Sequence, residues 1–129
     1  MISGINHVTI VVNNKPEAEN FYCNVLGFRK LQVGKSLWVK IGDQYIHINE
    51  NPNLLRLDTF HHFAIEINNL IPYLKNLIKN NIEIFDLDNN MTKLDINTNL
   101  DKPGRTYFAH DPAGNLIEFI DSFNQFFKQ

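Results

Sequence analysis

The sequence comprises 129 residues, 43% of them hydrophobic and 20% charged, with a formal net charge of −2 at pH 7. This composition is that of an ordinary globular domain without a basic excess, so it excludes a disordered chain and argues against a nucleic-acid partner. No apolar run approaches the roughly 20 residues of a membrane helix, and no secretion signal is recognisable at the N-terminus, so we expect no membrane association.

Two segments carry the same pattern, which indicates an internal repeat. Each begins with a histidine followed by a short, mostly apolar strand, at residues 7–12 and 62–67. Each continues with an Asn-Asn pair, a proline and an apolar helix pattern. A repeat is the first feature to establish, because it fixes the architecture of the whole chain. The predicted order is β-α-β-β-β for each copy.

The first copy, about residues 1–50, is predicted to place one helix after its first strand. Asn14 can cap this helix, Pro16 fits its first turn, and Gly27 ends it. Strands are expected at residues 4–12, 28–33, 36–41 and 44–49, and the apolar helix positions are Ala18, Phe21, Tyr22, Val25 and Leu26. One helix covers only one face of a sheet, so the other face is left free.

A polar linker over residues 50–59 precedes the second copy, about residues 60–121. A strand is predicted at 60–67 and a helix at 70–80, whose apolar face is Leu70, Leu74, Leu77 and Ile78. Further strands are expected at 82–87, around 91–94, at 105–110 and at 116–121. The polar loop 95–104 makes this copy longer, residues 111–115 form a turn held by Asp111, and a short helix at 122–129 ends the chain. The whole is predicted to be one domain, residues 1–129.

Four polar side chains interrupt the apolar strands. They are His7 and His47 in the first copy, and His62 and Glu118 in the second. Side chains alternate across a strand, so the apolar neighbours of these four residues face the helix and the four themselves face the free side of the sheet. If free faces curl together, three imidazoles and one carboxylate converge, which is costly to bury unless the set binds something.

These residues and several short motifs resemble the vicinal oxygen chelate superfamily, which includes glyoxalase I, fosfomycin-resistance thiol transferases, bleomycin-resistance proteins and extradiol dioxygenases. The matching motifs are Ile5-Asn6-His7-Val8-Thr9, Phe21-Tyr22, Leu26-Gly27-Phe28, Trp38 to Gly42, and Asp111-Pro112 followed by Gly114-Asn115-Leu116-Ile117-Glu118. The resemblance implies an α+β fold in which two tandem β-α-β-β-β units form a curved mixed β-sheet cavity with the helices outside. It also implies that His7, His47, His62 and Glu118 bind a divalent metal ion: Zn, Ni, Co, Fe or Mn.

The resemblance leaves the subfamily open. Glyoxalase I would place Glu or Gln at position 47, fosfomycin thiol transferases place Tyr where Phe108 stands, and extradiol dioxygenases usually carry more units. The run from Phe108 to Pro112, together with Tyr45-Ile46-His47, is more similar to glyoxalase-like proteins that lack a known substrate.

Several further residues are given roles beside the metal. Glu118 is expected to act as ligand and proton acceptor, and His110 is a second acid/base candidate because it shares the strand parity of Phe108 and because histidine is a residue type suited to proton transfer at neutral pH. Thr9, Trp38, Tyr45 and Phe108 are expected to bind substrate, with Phe119 as a further aromatic candidate. His61 is expected on the surface. The lone Cys23 is interpreted as packing, and it fits a reducing, cytoplasmic location.

Two classes of function remain open. The first is a metal-dependent enzyme on a small oxygenated substrate whose adjacent oxygens chelate the metal: a lyase, isomerase, thiol transferase or dioxygenase. The second is a metal-free protein that sequesters a small molecule or antibiotic, as the bleomycin-resistance group does. The four ligand-type residues favour the enzyme. The resemblance also implies a homodimer in which each site takes His7 and His47 from one chain, and His62 and Glu118 from the other.

Overall fold

The computed structural model describes residues 1–86, 92–94 and 106–122. The strands are β1 Val8–Val12, β2 Arg29–Val33, β3 Ser36–Ile41, β4 Gln44–Glu50, β5 His62–Ile67, β6 Ile84–Asp86, β7 Thr92–Leu94, β8 Thr106–His110 and β9 Leu116–Asp121. The helices are α1 Lys15–Glu19, continued by a π-helical segment Asn20–Val25, and α2 Leu70–Lys79. Two compact units result: Met1–Asp58 with Asp111–Asn115 form the first, and the remaining described residues form the second.

The first unit is a four-stranded mixed sheet in the order β1-β4-β3-β2, with β1 parallel to β4 and the other pairs antiparallel. Residues of β3 and β4 that face α1 are buried, and they include Leu37, Val39, Ile46 and Ile48. Their neighbours along the same strands are more exposed, as the predicted alternation requires. The helix therefore covers one face and leaves the other free of helices.

The helix of the first unit begins as predicted. The side chain of Asn14 accepts a hydrogen bond of 2.9 Å from the backbone N–H of Glu17, and a proline follows in the first turn. The helix then widens, because the N–H of Leu26 donates to the carbonyl of Phe21, five residues earlier. Ala18, Phe21, Tyr22 and Leu26 are buried and Val25 is half-buried, so the predicted apolar face is largely confirmed.

The second unit repeats the same strand order. Its sheet runs β5-β9-β8-β6-β7, with β5 parallel to β9 and the other pairs antiparallel. The first four positions match the first unit strand for strand, and β7 is an additional strand at the edge of this sheet. Leu70, Leu74 and Leu77 of α2 are buried, while Ile78 is half-buried. The internal repeat and the α+β class with two mixed sheets are confirmed.

The observed strand bounds differ from the predicted ones mainly where the apolar sequence pattern extends beyond the residues that pair in the sheet. β1 begins at Val8 and β5 at His62, whereas strands had been expected from residues 4 and 60. Ile5 and Phe60, which extended those patterns, are 84% and 61% exposed. The predicted loop 95–104, the strand ends at Leu87, Met91 and Arg105, and residues 123–129 of the predicted C-terminal helix lie outside the described residues. No helix among the described residues is long and apolar enough to cross a membrane.

The turn between β8 and β9 belongs to the first unit, and Asp111 holds it. The buried carboxylate of Asp111 accepts hydrogen bonds from the backbone N–H groups of Ala113 and Asn115, from the amide of Asn115 and from the hydroxyl of Tyr22, at 2.7–2.9 Å. Asn115 donates its second amide hydrogen to the carbonyl of Val11 at 2.9 Å. Burial, followed by the charge of Asp111, raises the pKa of Tyr22 well above its usual value. Asp111 is therefore saturated by structural partners.

Candidate functional site

His62 and Glu118 meet on the face of the second sheet that points away from α2. β5 and β9 pair in parallel, with His62 opposite Leu116 and Ala64 opposite Glu118, so the two polar residues are diagonal neighbours on one face. The Nε2 atom of His62 lies 3.2 Å from Oε2 of Glu118. Their side chains are only 23% and 16% exposed, so both groups are partly withdrawn from water.

A second hydrogen bond fixes which nitrogen of His62 carries a proton. Nδ1 lies 2.7 Å from the carbonyl oxygen of Phe60, and because a carbonyl only accepts, Nδ1 must donate. In the neutral ring the lone pair is therefore on Nε2, aimed at the carboxylate of Glu118. Two acceptors at this distance require a cation between them, either a proton or a metal ion.

The same pair fits the chemistry of a divalent metal. Two donors that bind one Zn²⁺ at about 2.0–2.2 Å, with an angle between 90° and tetrahedral, lie roughly 2.8–3.6 Å apart. The Nε2–Oε2 separation of 3.2 Å falls inside this range. A ligand histidine that donates its other N–H to a backbone carbonyl is also the common outer-shell arrangement. His62 and Glu118 can thus serve as two adjacent ligands without rearrangement.

Aromatic side chains border this pair. The rings of Phe60 and Phe108 lie 5.0 and 5.5 Å from the imidazole of His62, both edge to face. Phe108 pairs with Glu118 across β8 and β9 and is only 1% exposed. Phe60 was not predicted to belong to the site. Its backbone carbonyl orients the ring of His62, and a backbone carbonyl has no signal in the sequence.

The first unit carries a separate group on its free face: His7, Trp38 and His47. Trp38 and His47 are paired across β3 and β4, and their rings stack with centroids 4.5 Å apart and planes 11° apart. His47 also pairs with Thr9 of β1. The ring of His7 meets the same indole edge to face at 4.8 Å. Trp38 thus contacts both predicted ligand histidines of this unit.

His7 is oriented in the same way as His62. Its Nδ1 lies 2.8 Å from the side-chain oxygen of Asn6, so with the amide oriented this way Nδ1 donates and Nε2 keeps its lone pair. Neither His7 Nε2 nor the nitrogens of His47 have a hydrogen-bond partner among the described residues. Both rings therefore retain a nitrogen atom that is free to bind a metal ion. Asn6 is thus a second orienting residue that the sequence pattern does not predict.

The four predicted ligands stand as two groups, one in each unit. In the described part of the chain, no three His, Cys, Asp or Glu side chains come together closely enough to hold a metal ion. The first unit supplies two imidazoles beside an indole, and the second supplies an imidazole and a carboxylate beside two phenyl rings. Each unit by itself provides half of the predicted ligand set.

Of the remaining predicted site residues, some lie on the free face of their sheet and one lies on the helix-covered face. Tyr45 is on the free face of the first sheet, where the ammonium of Lys40 lies 5.7 Å from its ring centroid. His110 is on the same face of β8 as Phe108, half-buried, with its ring 5.6 Å from that of Phe85. Phe119 is the exception.

Phe119, the further aromatic candidate, lies on the other face of the sheet. It is fully buried on the opposite face, where its ring lies 5.9 Å from that of Tyr73 on α2. Cys23 also stays out of the site. Burial, and next the charge of Glu19, raises the pKa of its thiol, and Lys30 only partly opposes this. A raised thiol pKa makes a poor nucleophile at neutral pH, which agrees with a packing role.

Comparisons with known proteins agree with this fold. Residues 4–119 match the family described as the Glyoxalase/Bleomycin resistance protein/Dioxygenase superfamily. The chain is similar to Metallothiol transferase FosB of Shouchella clausii (strain KSM-K16), with 28% identity over 124 residues that cover 92% of this chain and 80% of the relative.

Solved structures give the same picture. One is a protein of Bacillus anthracis assigned to the glyoxalase family, with a TM-score of 0.70, 26% identity, and coverage of 94% of this chain and 96% of that one. Another is the fosfomycin resistance protein FosX of Listeria monocytogenes, complexed with Mn(II) and sulfate, with a TM-score of 0.72, 20% identity, and coverage of 97% and 94%. At that identity the second likeness shows the fold alone.

Proposed function

The chain belongs to the Glyoxalase/Bleomycin resistance protein/Dioxygenase superfamily, and from that premise we propose that it is a metal-dependent enzyme acting on a small oxygenated substrate. The observation that carries the proposal is the pair His62 and Glu118. Nε2 of His62 and Oε2 of Glu118 lie 3.2 Å apart, and Nδ1 of His62 donates its proton to the carbonyl of Phe60. A divalent ion satisfies both acceptors at once.

The proposed ligands are His62, Glu118, His7 and, as the fourth, His47. A metal ion bound by them, whether Zn, Ni, Co, Fe or Mn, supplies Lewis-acid stabilisation of negative charge on a substrate oxygen. The neutral imidazoles are already oriented through Nδ1 in His7 and His62, so little reorganisation accompanies binding.

The protein side chains would hold the substrate and move its proton. Thr9 lies beside His47 on the free face of the first sheet, and Trp38 and Tyr45, on the same face, would contact the substrate. Glu118 is the proposed proton acceptor, and His110 the second, because both are on the free face of the second sheet. His110→Ala is expected to lower turnover by roughly 10²- to 10⁴-fold with metal still bound. Unchanged turnover would remove His110 from the mechanism.

Among the reactions left open, we favour transfer of a thiol to a small oxygenated electrophile. The metallothiol transferase relative supports it. In this reaction a thiolate forms a carbon–sulfur bond, a carbon–oxygen bond breaks, and the released oxygen takes up a proton. Lyase, isomerase and dioxygenase activities are the remaining enzymatic outcomes.

We further propose that a complete site forms in a homodimer. Each unit has only half of the ligand set on its free face, so two units must combine to complete it. In the proposed arrangement, His7 and His47 come from one chain, and His62 and Glu118 from its partner.

Elemental analysis of protein purified without chelator tests the proposed function. One Zn, Ni, Co, Fe or Mn per site, lost in Glu118→Ala, is the expected result. The competing candidate is metal-free sequestration of a small molecule, as in the bleomycin-resistance part of the family name. Protein that contains no metal and takes up none of the five added ions would overturn the enzyme proposal in favour of sequestration.

A further inference from the structure

The helix-covered side of the first unit contains a polar pocket between the start of α1 and the β2–β3 hairpin. The pocket has a volume of about 110 Å³, is open to solvent on one side, and is lined in part by the buried Leu37. Lys30 and Gln32 of β2 reach it because they pair with Val39 and Leu37, buried residues that face α1. The pocket therefore lies on the opposite side of the sheet from the proposed metal ligands.

Cations outnumber anions in this pocket. Lys15, Lys30 and Lys35 line it together with one carboxylate, Glu19, which leaves a net charge of +2. Glu50 accepts a hydrogen bond of 2.7 Å from the backbone N–H of Lys15 but is not part of the lining. A concave site lined mainly by one sign of charge attracts ions of the opposite sign. The pocket is thus suited to an anion.

The ammonium of Lys15 is held in place by a neutral partner. It donates a hydrogen bond of 2.8 Å to the backbone carbonyl of Lys35, which ties the first turn of α1 to the hairpin. Lys15 is half-buried, yet it forms no ion pair among the described residues. An ammonium has three hydrogens, so two remain to donate to a ligand. The group is therefore positioned while its charge stays uncompensated.

A tight hairpin carries Lys35 to the pocket. Val33 and Ser36 are paired at the ends of β2 and β3, so the turn contains only Gly34 and Lys35, and Gly34 has a φ of +58°. A positive-φ glycine at the start of a two-residue turn is typical of such hairpins. The ammonium of Lys35 and the amide of Gln32 have no hydrogen-bond or ion-pair partner within residues 1–86, 92–94 and 106–122. Both groups can therefore donate to a ligand.

The third cation is paired, but in water. The ammonium of Lys30 lies 2.6 Å from the carboxylate of Glu19, and the two side chains are 40% and 39% exposed. Ion pairs this exposed contribute little to stability, so an incoming anion can compete with Glu19 for Lys30. Glu19 is therefore the lining carboxylate that opposes an anion.

We propose that this pocket binds a phosphate group, either as the free ion or as the end of a phosphomonoester. Its volume of about 110 Å³ is the space of three or four water molecules at roughly 30 Å³ each, which suits one tetrahedral oxyanion. The open side lets the rest of an ester extend into solvent. A phosphate group carries about two negative charges near neutral pH, which matches the net charge of the pocket, and lysine binds phosphate as a point charge. The site is separate from the proposed metal site and does not depend on the proposed function.

Chemical-shift titration of isotope-labelled, metal-free protein tests the site, with inorganic phosphate and methyl phosphate as probes at constant ionic strength. We expect saturable shifts of the amide signals of Gly34 and Lys35. We also expect a higher thermal midpoint, because a ligand of the native state stabilises it. Tighter binding of methyl phosphate than of inorganic phosphate assigns the ligand as a phosphomonoester, and the reverse order assigns it as the free ion.

Variants locate the binding. Lys15→Gln and Lys35→Gln should each weaken phosphate binding about tenfold or more, the usual loss for a charge-assisted hydrogen bond. Lys35→Gln keeps the backbone carbonyl that holds Lys15, so it tests the charge without removing that contact. Glu19→Gln should tighten binding, since it removes the opposing charge and frees Lys30. The matched control is Lys40→Gln, which removes the same charge from the free face of the first sheet and should leave the affinity unchanged.

Four results would overturn the inference. These are the absence of saturable shifts with either phosphate, an affinity that both Lys15→Gln and Lys35→Gln leave unchanged, weaker binding in Glu19→Gln, and equal weakening by Lys40→Gln. The last result would indicate only a general attraction between phosphate and the positive charges of the chain. Because the protein is free of metal throughout, the phosphate site and the proposed metal site can each fail without affecting the other.

Discussion

At the level of single residues, alternation along the strands predicts which of the proposed ligands share a sheet face, but it does not predict which groups orient their rings. His62 and Glu118 share a face because both interrupt apolar strands with the same parity, which is visible in the sequence. The carbonyl of Phe60 and the side chain of Asn6 fix the imidazole tautomers, yet a backbone carbonyl has no sequence signal. The tautomers and ring orientations are therefore features of the three-dimensional structure that the sequence does not predict.

Substitution of each proposed ligand by alanine should show how much that residue contributes to metal binding. His62→Ala and Glu118→Ala should each largely abolish metal uptake, because each removes one of two adjacent ligands and leaves the other unpaired, and His7→Ala should act likewise. His47→Ala should weaken uptake less, since water can take the vacated position. Elemental analysis measures the metal content of each variant, and calorimetric titration measures its affinity for the metal.

The matched control for these variants is His61→Ala. Its side chain is exposed and its backbone N–H, which the substitution keeps, donates to the hydroxyl of Thr59. It should bind metal as the unaltered protein does. Retention of full metal content by all four ligand variants would show that the ligand assignment is wrong.

At the level of elements, turn chemistry predicted bounds better than apolar runs did. β3 has the predicted bounds because a glycine-containing turn delimits each of its ends, and β9 begins where predicted because the turn that contains Gly114 precedes it. β1 was predicted too long, since Ile5 continues the apolar pattern without joining the ladder. The π-helical segment could not be predicted, because the same buried residues, Phe21 and Tyr22, also fit a regular helix.

The turn between β8 and β9 should tolerate no side chain at Gly114. Its φ is +95°, and a Cβ there would lie 2.4 Å from the carbonyl oxygen of Leu57. Gly114→Ala should therefore destabilise the fold by more than the roughly 1–3 kcal/mol of backbone strain alone. Gly34→Ala is the control, because Gly34 also has positive φ (+58°) but open space around it. Equal free energies of unfolding for the two variants would show that the close approach to Leu57 is unimportant.

Tyr73, which α2 packs against β9, should make the free energy of unfolding fall at alkaline pH. Burial raises the pKa of Tyr73 from 10.0 to about 12. The folded state thus holds the proton more tightly than the unfolded state, so this contribution is complete below pH 10 and is lost between pH 10 and about 12. Tyr73→Phe should flatten that fall in the free energy of unfolding, whereas Tyr45→Phe, at an exposed position, should not. An identical alkaline slope in Tyr73→Phe would contradict the burial argument.

At the level of the whole molecule, the repeat was readable because both copies begin with the same histidine-strand-helix pattern. The strand orders β1-β4-β3-β2 and β5-β9-β8-β6 show that this likeness extends to topology. The repeat does not show which units combine to complete a site, since units of one chain or of two chains satisfy the same pattern. That assignment depends on which free faces meet, which strand parity does not encode.

Complementation between two inactive variants distinguishes these arrangements. His7→Ala removes a ligand of the first unit, and Glu118→Ala removes one of the second. If sites are shared between chains, a mixed dimer has one site with both lesions and one with neither, so co-expression or joint refolding restores metal binding to half of the sites. If each chain completes its own site, every site keeps one lesion and nothing is restored. We expect restoration, measured as metal per mixed dimer after separation with two different affinity tags. Mixing His62→Ala with Glu118→Ala is the control, because both lesions lie in the second unit, each alone should largely abolish metal uptake, and no intact site can form in either arrangement.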